Sequence, residues 1–218
     1  MQIEDFDYQL PADAIAQMPA EPRDAARLLV VGDPPVDTAF TNLPDYLTEG
    51  DLLVVNATRV RAARLQGTRP SGGAVELLLL DQTRDGWEAL ARPARKLRPG
   101  MLLSFDDLTA EVRRVEADGV VVVSLSTGSG AGVDETIDRV GSVPYPPYVT
   151  AGPSDPGRYQ TVYAASTGSA AAPTAGLHFT RNMLEQLAAR GIHTAEVFLD
   201  IGLDTFRPIA SSNLDDHR

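Results

Sequence analysis

EVRRVEADGVVVVSLS, residues 111–126, is the stretch that decides the fold. Two runs rich in β-branched residues flank Asp118-Gly119, a pair that tolerates the positive φ angles of a tight hairpin turn. Working back towards the N-terminus, residues 75–80, 87–92 and 101–105 are further short strand-like runs. Ser71-Gly72-Gly73, Asp85-Gly86 and Pro99-Gly100 punctuate them. With residues 109–116 and 120–126 they make five strands and no intervening helix, which predicts a small antiparallel barrel or sandwich.

The flanks have a different texture. Residues 11–18 carry weak helical character, and residues 28–31 read as a buried strand. Residues 43–47 suit one helical turn, and the apolar run 52–55 suits a strand covered on both faces. After the barrel segment come a flexible Gly/Ser/Ala stretch at 127–132, a short helix over 134–140 and the rigid PYPPYV. Residues 180–190 predict an amphipathic helix with Thr180 as N-cap, Met183, Leu184 and Leu187 on one face, and Gly191 as its stop. Residues 193–201 predict a strand. The organisation is an α/β domain, residues 1–63 plus 152–218, interrupted by an inserted antiparallel β domain, barrel or sandwich, at 64–151.

Composition narrows the chemistry. The chain has 218 residues, 43% of them hydrophobic and 22% charged, as in ordinary globular proteins. It has no cysteine, which excludes disulfides, thiolate metal sites and a cysteine nucleophile. No apolar run reaches the ~20 residues of a membrane span, and the acidic N-terminus lacks signal-peptide order, so a cytoplasmic location is expected. The net charge of −11 is unevenly spread: residues 1–58 hold 2 basic and 11 acidic side chains, whereas residues 59–98 hold 9 basic and 4 acidic. Eight of those nine cations are Arg, the residue that grips phosphate or carboxylate with a planar fork. With a single Lys in the chain, Arg simply standing in for Lys explains the count as well.

Several motifs carry possible chemistry. GSAAAPTAGLHFT, residues 168–180, is a small-residue loop ahead of a helix N-terminus, a place where backbone approaches a ligand closely. His178 adds a group that exchanges protons near neutral pH. VVNATRV puts Asn56, Thr58 and Arg59 at the end of an apolar strand, where α/β sheets bind ligands. ARPARKL puts Arg92, Arg95 and Lys96 at a strand's close; a solvated basic turn looks the same. In RYQTVYA, Tyr159, Gln160 and Tyr163 suit stacking on and hydrogen bonding to a base, although core tyrosines share that pattern. DIGLDTFRP carries two carboxylates, Asp200 and Asp204, four apart around a Gly; no metal-ligand spacing and no Gly-rich phosphate fingerprint is present.

In order, EPRDAARLLVV, GDLLVVNATRVRAARL, GGAVELLLL, RPARKLRPG, VPYPPYV, RYQTVYA, GSAAAPTAGLHFT and IGLDTFRP resemble the S-adenosylmethionine:tRNA ribosyltransferase-isomerases of queuosine biosynthesis. The resemblance implies an α/β domain with an inserted barrel. It implies transfer of a ribosyl group from S-adenosylmethionine to an aminomethyl-deazaguanine at the tRNA wobble position, giving epoxyqueuosine with release of adenine and methionine. Neither metal nor further cofactor is implied. On these positions the resemblance implies His178 for proton transfer, with Asn56, Thr58 and Arg59 holding polar groups of the donor. Arg92, Arg95 and Lys96 would meet tRNA backbone or the methionine carboxylate; Pro173, Thr174, Ala175 and Gly176 would line the pocket. Tyr159, Gln160, Gly202, Thr205 and Phe206 complete the expected substrate contacts. A monomer is expected.

Four positions depart from the family pattern: Ala57 for Asp, Gly157 for Glu, Asp200 for His and Asp204 for Gly. Exchanging His for Asp removes a neutral-pH proton carrier and adds a fixed negative charge. The family also continues beyond the position of Arg218, so the expectation is an N-terminal portion or a truncated member. Two alternatives stand beside the transferase reading. One is a paralogue that uses S-adenosylmethionine on another acceptor. The other is a non-catalytic homologue that binds tRNA or a partner through the basic central segment.

Overall fold

Two antiparallel strands come first, β1 (Arg27–Val30) and β2 (Val36–Ala39), with Arg27 opposite Ala39 and Val30 opposite Val36. The structure is a computed structural model describing residues 2–146, 148–149, 155–201, 213 and 215. Residues 11–18 hold a single 3-10 turn, Ala12–Ala14, in place of a longer helix. The strand expected at 28–31 is not buried, since Leu29 is 64% exposed and Val31, just beyond β1, is 88% exposed. A 3-10 helix over Phe40–Tyr46 follows and is anchored by the buried Phe40 and Pro44. Next come β3 (Leu52–Asn56) and β4 (Thr58–Val60), separated only by Ala57.

The central segment then closes on itself. Strands β5 (Arg64–Thr68), β6 (Ala74–Thr83), β7 (Gly86–Arg92), β8 (Leu102–Phe105), β9 (Leu108–Val115) and β10 (Val120–Thr127) form a barrel in the order β10-β7-β6-β5-β8-β9. Every pairing is antiparallel. Val115 faces Val121 across the Asp118-Gly119 turn, where φ is 55° at Asp118 and 84° at Gly119, the positive values the hairpin demands. Alternate residues of β9 (Leu108, Ala110, Val112) point into the barrel and are fully buried, with Thr109 and Glu111 turned outward. The sixth strand, β5, was not among the five predicted. Its Gly67 hides it: a Cβ there would lie 2.1 Å from the Ser104 carbonyl oxygen, so close strand packing demands the residue that weakens a strand signal.

Helix α1 (Val133–Val140) drops the fully buried Ile137 onto the barrel core. Beyond it lie β11 (Ser166–Ser169), α2 (Arg181–Ala189) and β12 (His193–Val197). β11 pairs in parallel with β4, and β12 in parallel with β3 from Leu52↔His193 to Asn56↔Val197. Thus β4 and β11 are neighbours although the whole barrel separates them in the chain, and the barrel is an insertion. Ala57, fully buried, links the two parallel pairs: its N–H donates to the Val197 carbonyl and its carbonyl accepts from Ala165 N–H.

Helix α2 matches its sequence signals. Thr180 caps it by accepting from Met183 N–H at 3.1 Å, and Gly191 follows with a φ of 76°. Met183 and Leu187 join Phe40, Phe179 and Ile192 in a small core. Two expectations need correction. β12 ends at Val197 rather than 201, because residues 199–201 turn aside to bond with Asn56 and Ser169. β3 is covered on one face only, with Leu52 60% and Val54 57% exposed. An apolar run records low polarity, not the number of layers packed against it. Among the described residues no helix is long and apolar enough to cross a membrane.

Candidate functional site

A groove of about 290 Å³ opens where four distant segments meet. Its walls come from residues 16–20 with Arg23, from Tyr145, Pro146, Tyr148 and Val149, from Arg158 and Tyr159, and from Thr174, Leu177 and His178. Two short 3-10 helices present the key side chains. Pro156–Tyr159 is started by Asp155, whose carboxylate accepts from Gly157 N–H at 2.8 Å; Thr174–His178 follows the buried Ala171 and Ala172. A second hollow of about 420 Å³ adjoins the groove, sharing Tyr148, Tyr159 and Thr174 and adding Ala171, Ala172, Pro173, Ala175 and Ile201. The small-residue loop is therefore the ridge between two cavities.

The loop's glycines also have structural duties. A Cβ at Gly168 would lie 2.2 Å from Asp200 Oδ1, and one at Gly176 would lie 2.2 Å from the Tyr163 hydroxyl. Asp200 is thus seated against Gly168 of β11, where the small-residue stretch begins. His178 is half-buried at the groove, with its ring 5.4 Å from that of Phe40. Tyr159 is 8% exposed and packs edge-on against Tyr145 with centroids 5.1 Å apart. Burial pushes the Tyr159 phenol above its ordinary pKa; the Ala172 amide opposes the rise but falls short of hydrogen-bond geometry, and the hydroxyl has no partner. Burial raises the Tyr145 and Tyr163 phenols as well.

Other expected site residues spend their polar atoms on the fold. Gln160 imitates a strand residue: its Nε2 donates to the Val60 carbonyl at 2.8 Å and its Oε1 accepts from Val60 N–H at 3.0 Å. Asn56 donates from Nδ2 to the Leu199 carbonyl at 2.8 Å and accepts at Oδ1 from the N–H groups of Leu199 and Thr58. The buried Thr58 hydroxyl lies 2.9 Å from that of Ser169, which accepts from Ile201 N–H at 2.9 Å. Arg59 is exposed and donates to the Ala164 carbonyl at 3.2 Å. Such pins leave little of Asn56, Thr58 or Gln160 for a ligand and instead hold the segments that carry the groove.

Arg92, Arg95 and Lys96 are exposed, the last two on the 3-10 helix Ala94–Lys96 that follows β7. They do not line the groove. Arg92 borders a separate shallow hollow with Gln66, Gly67 and Glu76 on the barrel wall. None of the three makes an ion pair among the described residues. Gly202, Thr205 and Phe206 lie outside the described residues, as do Asp204 and Arg218. No group of three or more His, Asp or Glu poised for a metal occurs among the described residues.

The structure adds residues that sequence reasoning missed. Arg23 and Arg158 sit in the groove wall, half-hidden among backbone carbonyls, and Tyr145 and Tyr148 face them. The available signal was an Arg between Pro22 and Asp24, isolated in a segment otherwise dominated by acids.

A barrel inserted between two parallel strands, with the small-residue loop forming a two-sided pocket, defines the class: the chain belongs to the family described as queuosine biosynthesis protein, whose model matches residues 3–218. Its relatives are specific. It is 48% identical over 224 residues to the S-adenosylmethionine:tRNA ribosyltransferase-isomerase of Moorella thermoacetica, covering 100% of this chain and 65% of that protein. The namesake of Anaeromyxobacter sp. (strain Fw109-5) is 46% identical over 226 residues with the same coverage. A crystal structure of S-adenosylmethionine tRNA ribosyltransferase from Thermotoga maritima shares 32% identity across 91% of this chain and 59% of that one, with a TM-score of 0.36. The chain spans about 65% of the length of the curated relatives.

Proposed function

We propose that the chain carries the donor groove of an S-adenosylmethionine:tRNA ribosyltransferase-isomerase, and that S-adenosylmethionine occupies the space between Arg23, Tyr159 and His178. The observation that supports this most is convergence: blocks as far apart as Arg23 and His178 meet at one groove and at the loop ridge beside it. In this reading the aminomethyl nitrogen of the wobble deazaguanine attacks the ribose 5′ carbon. The C5′–S bond breaks and its electron pair leaves with methionine. His178 then takes the proton from C5′, the C1′–N9 bond breaks with its electron pair leaving on adenine, which takes up that proton, and the ribosyl skeleton rearranges to an epoxy-cyclopentanediol. The sulfonium is itself a good leaving group, so the proposal calls for no metal or further cofactor. Arg92, Arg95 and Lys96, exposed on the barrel, would meet tRNA phosphates by charge rather than by base reading. The proposal includes a cytoplasmic monomer, with residues 1–63 and 152–218 as one domain and 64–151 as the other.

The test is adenine release from S-adenosylmethionine, with and without tRNA bearing the aminomethyl-deazaguanine. Release should require that tRNA. His178→Gln should lower kcat by ~10²-fold or more, as expected for loss of general acid–base catalysis. Normal turnover by that variant would remove His178 from the chemistry. The seat of Asp200 against Gly168 favours one second reading, a paralogue with a different acceptor. Turnover with another amine acceptor, and none with this tRNA, would select it.

A further inference from the structure

Arg23 belongs to neither of the 3-10 helices that present Tyr159 and His178, yet its guanidinium holds both. From Nη1 it donates to the Gln160 carbonyl at 2.9 Å and to the Leu177 carbonyl at 3.1 Å, with the Arg158 carbonyl at 3.5 Å. From Nη2 it donates to the Gly157 carbonyl at 3.0 Å. Gly157 and Gln160 bracket Tyr159 closely in the chain, and Leu177 immediately precedes His178. The acceptors are all neutral carbonyls, so the contact is chosen for shape rather than for charge. A planar guanidinium has fixed donor directions that can bridge several carbonyls at once; a lysine ammonium is a point charge that cannot reproduce that fork. Burial and the neighbouring Arg158 charge work against the ionised form of Arg23 and outweigh the support it draws from Glu21 and Asp155.

We infer that Arg23 is a positioning residue: by locking the backbone around Tyr159 to that of Leu177, it sets where His178 stands in the groove and so how tightly the groove holds its ligand. The ligand part of this inference rests on the groove being the S-adenosylmethionine site proposed above; the positioning part does not.

The two parts are separable with Arg23→Lys and Arg23→Ala in the full chain, and Val112→Ala in the barrel as a control that lowers stability elsewhere. The chain has three histidines, so the His178 imidazole C2–H resonance is resolvable by proton NMR and assignable by its loss in His178→Gln. Both Arg23 variants should displace the His178 resonance and leave that of His193 in place, while Val112→Ala moves neither. Calorimetric titration with S-adenosylmethionine should show about ten-fold weaker binding in Arg23→Lys than in the wild type, a loss on the scale of one well-placed hydrogen bond. Val112→Ala should bind normally despite its lower melting temperature. An unmoved His178 resonance in Arg23→Lys and Arg23→Ala, or an affinity loss no greater than the control's, overturns the inference. A displaced resonance in a chain whose wild type fails to bind S-adenosylmethionine upholds the positioning and sinks the donor-site reading.

Discussion

The barrel and the parallel-strand region solve the same problem by different means. In the barrel, seventeen buried residues form one continuous cluster, from Ala63 to Ile137, and six strands closed in a ring leave no free edge. Among its described residues the parallel region has two smaller apolar clusters, of five and three buried residues, and leaves Leu52, Val54, Phe198 and Leu199 more than half exposed. It compensates with directed polar contacts: Gln160 on Val60, Asn56 on Leu199, Ser169 on Ile201 and Arg23 on two segments, 157–160 and Leu177. Apolar burial is non-directional and suits a scaffold. Hydrogen bonds from side chain to backbone fix single positions, which a binding groove requires.

That contrast can be broken first at its stronger end. Leu103 is fully buried inside the barrel, so Leu103→Ala should cost about 2–5 kcal/mol in transfer and cavity terms. Trp87, the chain's single tryptophan, is 5% exposed in the same cluster beneath the Arg61 guanidinium, which lies 4.9 Å from the ring centroid. Its fluorescence should report the loss as a lower denaturation midpoint. A Leu103→Ala chain that unfolds at the wild-type midpoint would show that the barrel does not rely on its apolar interior.

A smaller effect is expected from Gln160→Ala. It removes both hydrogen bonds to Val60 and exposes that backbone to an unpaired state, at a cost of about 1–3 kcal/mol. The comparison predicts where the cost appears. Amide exchange should quicken at Val60 and along β4 and β11, while amides of β9 and β10 keep their protection. Equal acceleration in the barrel would mean that the two regions open as one unit, and the division drawn here would fail.

The same division explains what could be read in the sequence. The hairpin at Asp118-Gly119, the helix from Thr180 to Gly191 and the loop ending at His178 were legible because local chemistry fixes them: a left-handed turn, an N-cap, a run of small residues. β5 was missed because Gly67 serves a contact with Ser104 that lies far away in the chain. Exposure of Leu52 and Val54 was misjudged because an apolar strand carries no mark of what covers it. At the site, Tyr159 and Thr174 line both cavities, with His178 in the groove and Pro173 in the hollow beside it. Arg23 escaped notice because its partners are backbone carbonyls, which every sequence has and none advertises.

The smallest effect is the most discriminating. Tyr159 carries a buried hydroxyl without a partner, as Thr161 does two residues on, and sits in a packed cluster with Val60 and Ala172. Tyr159→Phe keeps the ring and its edge-on contact with Tyr145, so stability at neutral pH should change little, or rise by a few tenths of a kcal/mol as an unpaired group is removed. At alkaline pH the variant should separate from the wild type. The phenol is raised by burial, so above pH ~10 the unfolded chain releases the proton first and the folded state is progressively disfavoured. Thermal melts from pH 9 to 11 should therefore fall less steeply for Tyr159→Phe, with a remaining slope from Tyr145 and Tyr163, whose phenols burial also raises. A marked loss of stability at pH 7 would mean that the hydroxyl has a partner and that the groove is pinned throughout. Parallel alkaline slopes would mean that it is no more buried than an ordinary surface tyrosine, and the groove wall would then be looser than its packing implies.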